Sequence, residues 1–200
     1  MRLVSAASRR LKRNFDALLS FSGLFMFGWL ILFAFVIACI ETRSFGFFIQ
    51  KRVGLHGKTF RVIKIKTMKK VSNNSTTVTT SNDTRITKSG HLFRKLKIDE
   101  LPQLFNVLKG DMSFVGPRPD VEGYADKLQG EDRIILTVRP GITGPATLYY
   151  RNEEEILAAQ DDPEKYNSEV IYPHKTEMNK HYIKHYTFLK DLYYIFKTIV

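Results

Sequence analysis

Residues 17–40, ALLSFSGLFMFGWLILFAFVIACI, contain no charged side chain. As a helix rising about 1.5 Å per residue, this run would reach roughly 36 Å, more than the ~30 Å hydrocarbon core of a bilayer. A chain that carries such a segment has to give it an apolar environment, so the rest folds beside a membrane or around a buried helix. The apolar region of a secretory signal is shorter, usually about 7–15 residues. Val36-Ile37-Ala38-Cys39 has the form of a lipoprotein cleavage box, but the length of the run argues against that reading.

Charge then bears on orientation. Arg2, Arg9, Arg10, Lys12 and Arg13 precede the run, and Arg43, Lys51 and Arg52 follow it. A straight span satisfies the positive-inside preference at one end only, whereas a re-entrant hairpin satisfies it at both. Gly23 and Gly28 could supply the bend. Charge alone leaves both topologies open, and in either the basic remainder is expected on the cytoplasmic side. The division expected is residues 1–45 as basic N-terminus and re-entrant membrane helix, and 46–200 as a cytosolic catalytic domain with interfacial helices. The net charge of +11 calls for an acidic partner: nucleic acid, anionic lipid or a phosphorylated substrate. The single cysteine, Cys39, excludes an intramolecular disulfide and any multi-cysteine metal site, and suits a reducing compartment.

After the apolar run, residues 45–68 read as strand, turn and strand, with Gly54-Leu55-His56-Gly57 as the turn. Gly57-Lys58-Thr59 is not the end of a P-loop, because Arg52 stands where its first glycine belongs and a strand follows. Lys64 and Lys66 alternate onto one strand face, facing either phosphates or solvent. The polar, low-complexity residues 71–82 read as a mobile loop. A helical stretch follows Gly90 and carries Arg94 five residues before Asp99.

The densest chemistry lies in KIDELPQLFNVLKGDMSFVGPRP, residues 97–119. Asp99 fits a helix N-cap, with Pro102 tolerated in the first turn. Leu101, Leu104, Phe105 and Leu108 make an apolar stripe, and Gly110 ends the helix. The bland reading of Asp99 and Glu100 is capping. The functional reading makes one carboxylate a nucleophile and its neighbour a metal ligand. Attack on a diphosphate must overcome like-charge repulsion, which calls for a hard cation such as Mg²⁺ and for arginines. Gly116-Pro117-Arg118-Pro119 offers one arginine on a stiff turn, and Arg139-Pro140-Gly141-Ile142-Thr143-Gly144 offers another in a similar frame. Each arginine alone is more often a structural ion pair. With Arg94 and the acid pair, the set reads as a phosphate site.

Nearer the C-terminus, Glu153, Glu154, Glu155, Asp161 and Asp162 read as a solvated helix start, or as contacts to a second metal or to uridine. Residues 179–200 read as an amphipathic helix with Tyr182, Tyr186, Leu189, Tyr193 and Phe196 in one stripe beside lysines, suited to an anionic leaflet or to a core. Glu177, His181 and His185 have a zinc-like spacing that is weak evidence by itself.

The chain resembles the monotopic bacterial phosphoglycosyl transferases over nearly its whole length. The resemblance rests on Lys12-Arg13 and Asp16, Lys64-Ile65-Lys66-Thr67-Met68, Asp83-Thr84-Arg85-Ile86-Thr87, Asp99-Glu100-Leu101-Pro102-Gln103-Leu104, the run Gly110 to Pro119, and Arg139 to Gly144. It implies that Asp99 attacks a UDP-sugar, releases UMP and carries the phosphosugar covalently until undecaprenyl (polyprenol) phosphate takes it. This would be the first membrane step of bacterial O-antigen, capsule, exopolysaccharide or glycoprotein assembly. It further implies that Glu100 helps hold Mg²⁺, that Arg94 and Arg118 bind phosphate, and that Arg139 contacts nucleotide or phosphate. The expected fold is α+β: a small mixed cytosolic domain with surface amphipathic helices, anchored by an N-terminal re-entrant helix in the inner membrane. One departure stands out. The Ser-Pro break of the family falls here on Gly28-Trp29, and no proline lies in 14–45; the bend is still expected near Gly28.

The expected partners are a UDP-sugar, undecaprenyl phosphate and anionic lipids, with a homodimer left open. Nucleic acid is not among them, because no recognition motif accompanies the charge and the anchor argues against it. The alternative is a membrane-anchored scaffold or lipid-binding protein of a glycan assembly complex, which makes no use of the acid pair and its framed arginines.

Overall fold

The structure, a computed structural model, describes residues 6–69 and 83–200. Arg2 and the polar loop expected at 71–82 lie outside the described residues. The apolar run forms α1 (Ala6–Thr42), one helix of 37 residues. Helical structure continues through Gly28. Without proline, every residue there keeps its N–H, and glycine alone does not force the ladder open.

Both halves of α1 nevertheless pack on the same domain. In the first half, Arg13 donates to the carbonyls of Val107 and Leu108 at 2.7 and 2.6 Å, and Asp16 accepts the Phe114 N–H at 3.2 Å. In the second half, Ile31, Ala34 and Ala38 are buried with Ile65 and Phe93, and Glu41 accepts from the Ser89 hydroxyl at 2.5 Å. Leu18, Phe21, Phe25, Met26, Trp29, Leu32 and Phe33 remain exposed. That is an apolar surface which water alone would not stabilise.

The hairpin appears where the alternation placed it: β1 (Phe47–Val53) pairs antiparallel with β2 (Thr59–Ile65) around a turn at Leu55–Gly57. Next come α2 (Lys88–Lys95), capped by the Thr87 hydroxyl, and α3 (Gln103–Lys109), ended by Gly110 at φ 95. A second small sheet joins β3 (Ser113–Val115) in parallel to β4 (Gly141–Thr143). Five α-helices and a π-helical turn (Asn167–Ile171) complete the chain: α4 (Pro145–Tyr149), α5 (Glu153–Ala158), α6 (Pro163–Tyr166), α7 (Tyr172–Lys184) and α8 (Phe188–Ile199). The α+β expectation is met in this mixed form.

Two amphipathic readings need correction. In α3 the buried side is Gln103, Leu104, Asn106 and Val107, while Phe105 is exposed. The helix is held from two sides. Leu104 lies beside Gly23 of α1, and Asn106 bridges to β2 by accepting the Ile63 N–H and donating to the Arg61 carbonyl. A one-stripe pattern describes a helix with one neighbour, and α3 has two. The expected single helix over 179–200 is broken at Thr187, whose hydroxyl caps α8. Tyr182 is buried and donates to the Asp191 carboxylate, whereas Leu189, Tyr193 and Phe196 stay exposed on α8.

Candidate active site

The chain just before α3 is tightly wound. Lys97 adopts left-handed backbone angles (φ 55), and Ile98–Glu100 make a 3₁₀ turn ahead of Pro102. Ile98 and Leu101 pack toward α1, so the two carboxylates between them sit beside the long apolar helix. Asp99 is not the N-cap of α3, because Pro102 holds that place and no side chain caps it. The Asp99 carboxyl is only 8 % exposed, and its Oδ1 has no hydrogen-bond partner among the described residues. A capping role would have satisfied that oxygen. A buried acceptor left open marks a place where a ligand completes the structure.

Asp99 lines a cavity of about 620 Å³ together with Arg94 and Arg118. Eight lysine and arginine side chains face this space against four carboxylates, a balance that favours an anionic occupant. Arg94 pairs through Nη2 with Glu154 at 3.3 Å, while its buried Nη1 has no partner among the described residues. The hairpin supplies one wall. Phe48, Gln50 and Arg52 alternate along β1, and Lys64 lies opposite Phe48 in register.

Glu100 stands behind this wall. Its Oε1 accepts from Lys64 Nζ at 2.7 Å and from Arg118 Nη2 at 2.8 Å. Electrostatics therefore separate the adjacent acids. Burial, and then the negative charge of Glu100, push the Asp99 carboxyl up to about 6. Burial acts on Glu100 in the same direction, but the Arg118 and Lys64 cations outweigh it and hold Glu100 well below the usual carboxylate range. Glu100 in turn holds Arg118 firmly protonated. Two neighbouring carboxyls driven apart in this way can take different chemical roles.

Arg139 is placed elsewhere. Its Nε donates to the Gly110 carbonyl at 2.7 Å, and, like Glu100, it is not among the residues that line the cavity with Arg94, Asp99 and Arg118. The motif around it acts through its backbone. Gly116 N–H donates to Thr143 O at 2.9 Å and Gly141 N–H to Pro117 O at 2.8 Å. A Cβ on Gly141 would fall 2.2 Å from Gly116 N, so only glycine permits this approach. The second glycine–proline frame thus braces the turn that presents Arg118.

Sequence reasoning left several wall residues unassigned: Arg52, Asp120, Tyr124, Tyr172 and Lys175 all face the cavity. Strand alternation from Phe48 was a usable signal for Arg52, and Asp120 follows Pro119 directly. The α7 residues arrive from far along the chain and carry no local signal. Of the acidic run, Glu153 and Glu154 reach the cavity, Glu153 pairing with Lys175 at 2.6 Å, while Asp162 caps α6. Glu177 is taken up by Lys180 at 2.6 Å, and no metal-ligating cluster of three side chains occurs among the described residues.

A hard divalent cation is commonly held by one or two carboxylates and completed by substrate phosphates. The open Oδ1 of Asp99 is a donor of that kind, whereas Glu100 does not line the cavity and its Oε1 is taken by Lys64 and Arg118.

Residues 7–200 match the family model of the bacterial sugar transferases. A UDP-N-acetylgalactosamine-undecaprenyl-phosphate N-acetylgalactosaminephosphotransferase of Aeromonas hydrophila is 35% identical, across 94% of this chain and 43% of its own length. The uncharacterized sugar transferase EpsL of Bacillus subtilis is 36% identical, across 91% and 82%. An undecaprenyl-phosphate galactose phosphotransferase of Salmonella typhimurium is 33% identical, across 98% and 41%. The chain therefore spans less than half of the Aeromonas and Salmonella relatives and about four fifths of the Bacillus one.

Proposed function

The chain belongs to the bacterial sugar transferase family, and on that footing we propose that it transfers a phosphosugar from a UDP-sugar to undecaprenyl phosphate, releasing UMP. The observation that carries this reading is the buried, unpartnered Asp99 oxygen facing a basic cavity beside the membrane helix. An ionised Asp99 oxygen attacks the sugar-bearing phosphorus, the bond to UMP breaks, and the phosphosugar stays on the carboxylate. A phosphate oxygen of the lipid then attacks the same phosphorus. The bond to Asp99 breaks, the carboxylate is restored and a polyprenyl-diphosphate sugar leaves.

Arg118, set by Glu100 and by the glycine-braced turn, grips the diphosphate. The free Nη1 of Arg94 offers a second grip. Glu100 would help hold Mg²⁺ with the donor's phosphates, and the ion would neutralise charge developing on the leaving UMP. Arg118 and Lys64 together keep Glu100 ionised.

Residues 1–45 serve as the anchor and 46–200 as the catalytic unit. Because both halves of α1 pack on one domain, both of its ends lie on that domain's side of the bilayer, the cytoplasmic face of the inner membrane. This supports the re-entrant topology even though Gly28 stays helical. The exposed apolar residues of α8 would rest against the same leaflet. A scaffold role would leave the open Asp99 oxygen without a purpose.

The test is UMP release from a panel of UDP-sugars with Mg²⁺ and undecaprenyl phosphate. Release that requires the lipid for multiple turnovers is expected. No release from any donor would favour the scaffold.

A further inference from the structure

The cavity has a second polar pole that phosphosugar transfer leaves unused. It is built from Asp120 on the turn after Pro119 and from Tyr172 at the start of α7. A five-residue π turn, Asn167–Ile171, precedes Tyr172 directly. Residues five apart in a regular α-helix point about 140° away from each other. Here the wider turn brings both Asn167 and Tyr172 onto the cavity wall. Such turns recur at functional sites.

The Tyr172 hydroxyl is buried with no hydrogen-bond partner among the described residues. Asp120 and Thr176 lie close enough to influence it, yet neither meets hydrogen-bond geometry. The ring cannot simply turn away, since it packs against Tyr124 at 5.1 Å between centroids and 60° between planes. One turn further along α7, Lys175 is engaged by Glu153 at 2.6 Å, so it does not claim the hydroxyl. A buried O–H held in place without a partner, beside a carboxyl and across from an aromatic ring, is the arrangement that binds a hydroxylated ring.

We propose that Tyr172 and Asp120 form a hydroxyl-reading subsite that grips neighbouring hydroxyls on one ring of the nucleotide-sugar donor, and so select which donor reacts. Its occupant is the pentose of the nucleotide or the hexose on the phosphate, which share this chemistry. The inference rests on the chain acting on a UDP-sugar. Asp120 is flanked by Lys175, Arg52, Arg118 and Glu153, and burial pushes its carboxyl up to about 6. Its carboxyl oxygens can accept from a hydroxyl, and the Lys175, Arg52 and Arg118 cations offset its charge toward the nearby diphosphate. The transfer chemistry at Asp99 uses neither Tyr172 nor Asp120.

The experiment compares kcat and KM for UMP release by the full chain in detergent with Mg²⁺ and undecaprenyl phosphate. The substrates are the best hexose donor, its C4 epimer and its 2′-deoxyuridine analogue; the proteins are wild type, Tyr172→Phe and Asp120→Asn. Both substitutions keep side-chain shape, and Tyr172→Phe keeps the packing on Tyr124. The expected result is a rise in donor KM and a collapse of one discrimination ratio by roughly tenfold, since a site built around a hydroxyl penalises its loss or displacement. A collapse in the epimer ratio places the hexose at the subsite, and a collapse in the deoxy ratio places the ribose. Both ratios unchanged in both variants would overturn the proposal. If wild type releases no UMP from any donor, the transferase reading fails first and the subsite falls with it.

Discussion

Glu100 Oε1 accepts a hydrogen bond from Arg118 Nη2 at 2.8 Å. This contact holds the arginine of the turn in place, as the proposed grip on the donor's phosphates requires. Lys64 reaches the same oxygen at 2.7 Å, so one carboxylate organises two cations while its own charge bears on Asp99. Glu100 therefore acts on both sides of the proposed reaction, through the groups that hold the donor and through the group that attacks it.

Glu100→Gln should lower kcat/KM for UMP release by about a hundredfold or more, because both cations lose the partner that aims them. Arg118→Lys should give a smaller loss, mainly in KM, since a lysine keeps the charge but not the fork. Steady-state assays across donor concentrations separate the two. Activity of Glu100→Gln within threefold of wild type would contradict the arrangement.

Protonation of Asp99 should switch the first step off. Its carboxyl titrates near 6, and only the ionised form attacks. Single-turnover UMP release is expected to fall as pH drops through about 6 and to level off above it. Glu100→Gln removes the like charge next door, so the midpoint should move to lower pH. A midpoint unmoved in that variant would show that another group controls the profile.

The same burial makes Asp99 a cost to stability at neutral pH. An acid whose folded pKa is raised from 3.8 to about 6 favours folding below 3.8, and that contribution is lost as pH rises through about 6. At pH 8 the ionised carboxylate should cost roughly 1–3 kcal/mol. Asp99→Asn is expected to melt several degrees higher than wild type at pH 8, with the gain shrinking toward pH 4. Thermal unfolding in detergent at the two pH values checks this. An Asp99→Asn protein less stable than wild type at pH 8 would contradict it.

The packing of α1 predicts that its two ends face the same compartment. In a Cys39→Ala background, Arg9→Cys and Ser44→Cys flank the apolar run, and both sites are exposed on the domain. A membrane-impermeant thiol reagent should label both from the cytoplasmic side in inverted vesicles and neither from the outside of intact cells. Labelling from opposite sides would establish a straight span.

The hairpin, the apolar helix and the convergence of Arg94, Asp99 and Arg118 were legible in the sequence. Each depends on local alternation, on charge-free length or on a short motif. Arg139 was misplaced because its frame looks like that of Arg118. The two frames meet backbone to backbone at Gly116 and Gly141, and Arg118 faces the cavity while Arg139 turns to the Gly110 carbonyl. Lys12, Arg13 and Asp16 were visible as a pattern, but their purpose appears only in space. They clamp the membrane helix to Asp191, to the last carbonyls of α3 and to Phe114. Tyr172 was invisible for a similar reason, since a π turn rather than a helical repeat aims it at the cavity.

The central claim is that Asp99 carries the phosphosugar. Wild-type protein incubated with its UDP-sugar and Mg²⁺, without lipid acceptor, should gain the mass of one phosphosugar and release an equal amount of UMP. Rapid-quench peptide mapping should place the adduct on Asp99, and undecaprenyl phosphate should discharge it. Asp99→Asn should show neither adduct nor release. Stoichiometric UMP release with no adduct, an adduct on another residue, or full turnover by Asp99→Asn would contradict the account.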